Sequence, residues 1–400
     1  MKKFSGVKKL AGNILRTGDF ILLIITLVLV IFGVIMVFSS SYYYALSQDG
    51  SAYSYLKRDL VWVFAGGCLL IFFAVYDYNK LKKWAIPFLA LSLLLLVLVL
   101  MPGIGITRNN ATRWIGAGGV TIMPGELIKL ALIIFTAAFL GAKTDRIKTF
   151  TKGIFPLLLL CGVCGALIVK QPNLSTAITV VLIIIVMMLV AGMSWWWIAV
   201  GGAAGAVGIM AIMMSGNTYW HKRLTSFVDP FADPLGNGYQ VVQSLLAMGS
   251  GGLFGVGLGK SIQKNLYLPE PQNDFILAII GEELGFIGIM LLLLIYMLLI
   301  WRGVNIAINA PDQFGTLLAT GITAMVGIQV ILNIAVVTSS MPPTGVTLPF
   351  VSYGGNAQML FMSSMGILLL RAWLSYLANA VFAEPNEPTA RALTLYHAAA

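Results

Sequence analysis

The chain reads as an all-α polytopic membrane protein of about ten transmembrane helices, with a large extracytoplasmic loop between helices 7 and 8. Three observations lead there. Of 400 residues, 59% are hydrophobic and only 10% are charged, with a mean hydropathy of +0.91. The apolar residues gather in repeated runs of about 20, the length a helix needs to cross a hydrocarbon layer of about 30 Å. The 25 basic residues are scattered among the intervening loops rather than collected in a stripe, which argues against nucleic acid as a partner despite the net charge of +10.

Taken in order, the apolar runs place spans at about 20–38, 60–76, 84–101, 126–142, 154–169, 176–192, 196–215, 275–301, 315–338 and 355–378. The first is longer than a signal-peptide core. It also lacks a small-residue cleavage site before Tyr42-Tyr43-Tyr44, so it reads as a retained helix. An even number of spans puts both termini on one side. Lys2, Lys3, Lys8, Lys9 and Arg16, then Lys80, Lys82 and Lys83, then Lys143, Arg146, Lys148 and Lys152 all share that side, which the positive-inside rule makes cytoplasmic. Residues 1–380 then form one membrane domain with a short cytoplasmic tail at 381–400. Two long loops face outward, at 102–125 and about 216–274.

Several features have ordinary readings. Cys68, Cys161 and Cys164 lie inside apolar runs, and Cys161-Gly-Val-Cys164 has no thioredoxin-like context, so packing is their expected role. The run Gly249-Ser-Gly-Gly-Leu-Phe-Gly-Val-Gly-Leu-Gly-Lys-Ser261 ends like a phosphate loop. Phe254 occupies a position where that motif needs glycine, and no soluble strand precedes it, so a re-entrant or surface loop is the better account. The stretch 238–248 is weakly amphipathic, and Gly201 and Gly205 have the spacing of close helix packing.

Polar groups at membrane depth carry more information, because hydrocarbon penalises them unless they face a cavity or one another. In Asn110-Ala-Thr-Arg-Trp114, Arg113 suits a phosphate oxygen and Trp114 the headgroup level; an interfacial anchor fits equally well. Glu126 and Lys129 stand at i, i+3 on one helix face, either as a self-neutralising pair or with the lysine holding a pyrophosphate. Lys170-Gln-Pro-Asn173 interrupts two apolar runs, and Lys170 either snorkels or meets substrate. Thr344-Gly-Val-Thr-Leu-Pro-Phe-Val-Ser-Tyr-Gly-Gly355 is an uncharged, broken segment of the kind tolerated where it lines a cavity. Finally Tyr267-Leu-Pro-Glu-Pro-Gln-Asn-Asp-Phe275 and Gly281-Glu-Glu-Leu-Gly285 set Glu270, Asp274, Glu282 and Glu283 before and within the eighth span. Asp274 sits where it can cap that helix or act as a base.

Together, Arg113-Trp114, Pro124-Gly-Glu-Leu, Gln171-Pro-Asn, Asp229-Pro, Gly238-Tyr-Gln-Val-Val-Gln-Ser, the Tyr267–Ile276 stretch, Gly281-Glu-Glu-Leu-Gly and Leu348-Pro-Phe-Val-Ser-Tyr-Gly-Gly resemble the SEDS family (shape, elongation, division and sporulation). The likeness runs from Asp19 to about Trp373. The Leu-Pro-Glu-Pro-Gln form and the Gly257–Lys264 stretch are closer to its division and sporulation branch, FtsW and SpoVE, than to RodA. Asn356-Ala-Gln-Met, Asn173 and Ser175 depart from the usual family pattern.

The resemblance implies a peptidoglycan glycosyltransferase that polymerises lipid II into β-1,4-linked glycan outside the bacterial cytoplasmic membrane. Its implied partners are lipid II and polyprenyl-linked glycan, membrane lipid, a class B penicillin-binding protein and other division proteins. The family's essential aspartate falls on Asp274. Its Arg-Trp and Glu/Lys positions fall on Arg113, Trp114, Glu126 and Lys129. On this reading Asp274 is the base. Arg113, Lys129, Lys170, Lys222 and Arg223 are candidates to neutralise the leaving pyrophosphate, Glu270 a candidate acceptor-binding group, and Ser352, Gly354 and Gly355 candidate lining. Glu282 and Glu283 are expected to organise helix contacts. No His/Cys/Asp constellation marks a dedicated metal site, and a divalent cation (Mg or Mn) bridging pyrophosphate and an acid is compatible with this chemistry. The competing classes are a lipid II flippase and a non-catalytic division scaffold; convergence of the motifs on one side favours the enzyme.

Overall fold

The structure is a computed structural model, and it describes residues 19–108, 111–117, 120–202, 210, 227–236 and 238–383. Its helices are α1 Phe20–Asp49, α2 Ser54–Val75, α3 Tyr78–Val99, α4 Pro124–Gly141, α5 Phe155–Val169, α6 Leu174–Val190, α7 Tyr239–Gly251, α8 Ile276–Ile308, α9 Gln313–Val337 and α10 Gly355–Ala383. Seven of the helical segments are long and apolar enough to cross a membrane, and Leu174–Val190 and Gly355–Leu370 are shorter apolar helices. The expected seventh span, 196–215, is helical over 196–202 and otherwise falls almost wholly outside the described residues. The same is true of Lys222, Arg223 and the tail 384–400.

Helix ends differ from the apolar runs where polar residues continue a helix. α1 starts at Asp19, whose side chain accepts from Leu22 N–H at 3.1 Å, and runs beyond Phe38 through the tyrosine cluster to Asp49. It stops where Gly50 takes φ 67°, the left-handed conformation that glycine adopts at little cost. An apolar window sees only the part of such a helix that lies in hydrocarbon.

α4, α9 and the first half of α10 are well enclosed, while outer faces carry large apolar side chains such as Phe64 (74% exposed) and Ile86 (70% exposed). That inversion of the soluble pattern makes the protein a multi-pass membrane protein. Close approaches use glycine. A β-carbon at Gly66 of α2 would meet Met362 Sδ of α10 at 2.6 Å, and one at Gly366 would strike the Leu70 carbonyl.

The two ends of the bundle differ. One is tied by ion pairs, Arg302 to Asp19 at 2.6 Å and Lys82 to Asp312 at 3.5 Å, with the Tyr78 hydroxyl donating to Asp312 at 3.3 Å. The other end collects the segments at 100–123 and 252–275 and the broken segment before α10. It includes a feature the helical expectation omitted, an antiparallel three-stranded sheet in the order β1 (Gly105–Arg108), β2 (Ala111–Ala117), β3 (Val120–Ile122). Ile106 pairs with Trp114 and Ile115 with Ile122. Strands of 3 to 7 residues offer too little alternation to be told from loop in sequence.

α8 is broken at Gly285 (φ 69°, ψ −170°). The glycine-rich stretch after α7 docks there: Val256 and Gly257 N–H donate to the carbonyls of Glu282 and Glu283 at 2.9 and 3.0 Å, and Phe286 and Ile287 N–H donate to Gly252 and Leu253 at 2.9 and 3.1 Å. The loop therefore supplies backbone partners that the helix break leaves unpaired, the condition for irregular backbone within a bundle. The amphipathic stretch forms α7, which packs on α8 with Val241, Val242, Ser244 and Ala247 buried. Glu282 and Glu283 hold this junction. Glu282 accepts from Ser261 Oγ at 2.5 Å and Ile262 N at 2.9 Å; Glu283 pairs with Lys264 at 2.8 Å and accepts from Ser39 Oγ at 2.8 Å.

Candidate active site

A cavity of about 800 Å3 opens at the irregular end of the bundle, within the size range of ligand sites. Its wall takes Arg113, Trp114 and Thr121 from the sheet region, Glu126 from α4, Ser175, Thr176 and Thr179 from α6, Glu270, Asn273 and Asp274 before α8, Gln329 from α9, and Thr344–Thr347 and Tyr353–Ala357 from the broken segment and α10. Tyr44 and Trp62 complete it from α1 and α2.

Asp274 precedes the cap of α8. The cap residue is Phe275, which provides no side-chain cap, and the Asp274 carboxylate lies against Gly345. A β-carbon at Gly345 would come 2.7 Å from Asp274 Oδ2 and 3.8 Å from Arg113 Nη1, so carboxylate and guanidinium share the space over this glycine. The backbone around them is fixed from below. Asn333 Nδ2 donates to the Asp274 carbonyl at 2.9 Å and to the Val346 carbonyl at 2.7 Å, joining the two loops that form this wall. Ser175 Oγ reaches the Gly345 carbonyl at 2.9 Å, and Tyr353 N–H donates to the Gln272 carbonyl at 2.9 Å.

Arg113 is oriented by the turn between α5 and α6: Nε donates to the Gln171 carbonyl at 3.3 Å and Nη2 to the Pro172 carbonyl. The Gln171-Pro-Asn motif thus acts through its backbone on Arg113, while Gln171 Nε2 anchors the turn to the Leu96 carbonyl at 3.0 Å. Lys170, one residue earlier, caps α5 and projects away; it is exposed and does not line the cavity.

Of the Glu126–Lys129 pair, only Glu126 reaches the wall. Lys129 is 1% exposed, its Nζ 2.7 Å from Glu126 Oε2 and 5.8 Å above the Phe361 ring. The contact lacks hydrogen-bond alignment and is an ion pair under the floor. Glu270 takes φ 47° and accepts from Asn273 Nδ2 at 2.9 Å. Gly354 and Gly355 line the cavity, and Gly355 lies so close to the Trp62 indole that a side chain would not fit. Ser352 is turned inward, its hydroxyl accepting from Leu348 N–H at 2.8 Å, and it shapes the segment without lining the cavity.

The structure thus brings Asp274, Arg113, Trp114, Glu126, Glu270, Gly354 and Gly355 to one cavity, with Lys129 beneath it and Lys170 and Ser352 outside it. Sequence reasoning passed over Asn333, Gln329, Tyr44 and Trp62. Gln329 and Asn333 had a legible signal, two amides four residues apart in an otherwise apolar span. Among the described residues, no group of three or more His, Cys, Asp or Glu side chains is arranged to hold a metal ion.

Comparison with known proteins agrees with this architecture. The profile of the FtsW, RodA and SpoVE cell cycle proteins matches residues 20–373. Stage V sporulation protein E of Bacillus subtilis (strain 168) is 44% identical over 351 residues, 88% of this chain and 96% of that protein. A probable peptidoglycan glycosyltransferase FtsW of Geobacter sp. (strain M18) is 40% identical over the same share of this chain and 95% of its own. Among solved structures, a chain of a peptidoglycan synthase complex that coordinates polymerization and crosslinking superposes with TM-score 0.74 at 29% identity, covering 89% of this chain and 98% of that one. The rod shape determining protein RodA of Thermus thermophilus does so with TM-score 0.66 at 27% identity, covering 89% and 97%. The chain belongs to the FtsW/RodA/SpoVE family of cell cycle proteins, the SEDS family.

Proposed function

We propose that this protein is a peptidoglycan glycosyltransferase that polymerises lipid II into β-1,4-linked glycan at the outer face of the bacterial cytoplasmic membrane, with Asp274 as general base. The observation that carries this reading is that the Asp274 carboxylate and the Arg113 guanidinium both stand over the side of Gly345 where a β-carbon would project, on the wall of one cavity. An acid and a cation held side by side are what attack by a hydroxyl on a phosphate-bearing sugar requires.

In the proposed reaction Asp274 takes the proton of the acceptor GlcNAc 4-hydroxyl. That oxygen attacks the anomeric carbon of the donor from the face opposite its α-linked pyrophosphate. The new C–O bond is β, and the electrons of the broken bond leave on the polyprenyl pyrophosphate. Arg113, already aimed by the 171–172 carbonyls, meets the developing negative charge. Trp114, Glu270 and Gly354–Gly355 line the sugar path. Lys129 tempers the charge of Glu126 at the floor. Lys222 and Arg223 remain candidate phosphate ligands outside the described residues.

The membrane orientation, both termini cytoplasmic and the cavity outside, rests on the distribution of Lys and Arg. A class B penicillin-binding protein as cross-linking partner, and a role in the division or sporulation septum, rest on what the similar proteins are named for.

The test uses purified full-length protein with lipid II, glycan length read on a gel and translocation read in parallel in vesicles. Glycan chains from the wild type, and none from a folded Asp274→Asn variant, support the reading. Polymerisation by Asp274→Asn at the normal rate overturns the base assignment, and translocation without polymerisation makes the protein a flippase.

A further inference from the structure

Beneath Asp274 the cavity wall contains polar atoms that have no partner among the described residues. Gln329 lines the cavity and is 4% exposed, and its Oε1 has no hydrogen-bond partner among the described residues. Thr344, also lining it and 4% exposed, has an Oγ1 with no partner among the described residues. Neither residue is charged, whereas the pyrophosphate candidates Arg113 and Lys129 are.

Their placement relative to the base is set by α9. Asn333 holds the Asp274 and Val346 carbonyls, and Gln329 lies one turn before it on the same helix face, about 6 Å further into the bundle. Thr344 adjoins Gly345, the residue against which the Asp274 carboxylate rests. The two orphaned groups therefore share one cavity wall with the base. A buried acceptor and a buried hydroxyl left unpaired are costly, and such atoms on a cavity wall indicate what completes them.

We propose that Gln329 and Thr344 form a neutral subsite that recognises the acetamido group of a 2-acetamido sugar held at Asp274. The acetamido N–H donates to Gln329 Oε1, and Thr344 Oγ1 donates to its carbonyl. An amine at the same carbon fits poorly, because it offers no carbonyl to Thr344 Oγ1 and must shed its hydration to meet two neutral groups. This inference rests on the glycosyltransferase reading for the identity of the sugar. The acceptor ring and the donor ring both carry the group.

Binding tests it independently of turnover. Full-length protein in detergent is titrated with lipid II and with two amine analogues, one lacking the acetyl group on the GlcNAc ring and one on the MurNAc ring. The readout is quenching of intrinsic fluorescence, since Trp62 and Trp114 line the same cavity. The wild type is expected to bind lipid II at least tenfold more tightly than one of the analogues, and that analogue names the ring. Gln329→Met, which keeps the chain length and removes the orphaned oxygen, is expected to abolish the preference with no loss of thermal stability. Thr344→Val is expected to weaken it. Equal binding of all three ligands by the wild type, as when ordered water alone completes Gln329, overturns the proposal. So does an undiminished preference in folded Gln329→Met. If the wild type discriminates yet makes no glycan from lipid II, the subsite stands and the polymerase reading fails.

Discussion

Asn333 donates a hydrogen bond to the backbone carbonyl of Asp274 at 2.9 Å, from a helix interior where it is fully buried. The same Nδ2 donates to Val346 at 2.7 Å, so one side chain sets the spacing between the loop bearing the acid and the loop that flanks it. Replacing it with leucine leaves two carbonyls without this donor. We expect Asn333→Leu to destabilise the protein by about 1–3 kcal/mol and to lower kcat more than tenfold with Asp274 intact. Thermal unfolding in detergent and single-turnover polymerisation measure the two effects separately.

Gly345 should be sensitive for a different reason. A methyl group there would stand 2.7 Å from Asp274 Oδ2, too close for the carboxylate to keep its place. Gly345→Ala is expected to reduce kcat by about 100-fold through displacement of the acid, with stability close to that of the wild type. Retention of full activity would show that the carboxylate reaches substrate from another position.

The Glu126–Lys129 pair has its side chains 9% and 0% exposed. Lys129→Met strands a buried carboxylate and should cost about 3–5 kcal/mol, whereas Glu126→Gln with Lys129→Met removes both charges and should cost much less. A double-mutant cycle in thermal stability reads the coupling. If the single and double variants unfold alike, the pair is not a structural unit.

Gly285 carries the break in α8 at φ 69°, and a side chain there would run into the backbone of Gly255 and Leu253. Gly285→Ala combines about 1–2 kcal/mol of backbone strain with loss of the docked loop. The expected outcome is a strongly reduced yield of folded protein. Lys264→Met, which removes the cation beside Glu283 at the same junction, should act in the same direction, by about 3–5 kcal/mol.

Much of this molecule is decided by local composition. Helices such as α4 and α9 follow from apolar runs alone, because in hydrocarbon a segment must satisfy its backbone internally and helix is the local way to do so. The quoted motifs, from Arg113-Trp114 to Ser352-Tyr-Gly-Gly355, were enough to point to the family, and polar residues at membrane depth marked most of the cavity wall. Tertiary structure decided which of them meet. Arg113 and Lys170 look equivalent as cations in outer loops, yet the 171–172 turn faces one into the cavity while the other caps α5 and points away. Lys129 looks like a ligand for phosphate until packing of α4 buries it under Glu126. Asn333 and Gln329 are unremarked amides in an apolar run until α9 carries them beneath Asp274. Hydrocarbon selects helices one segment at a time. The site consists of contacts between segments distant in the chain, and these depend on side-chain packing and hydrogen-bond partners that no local window contains.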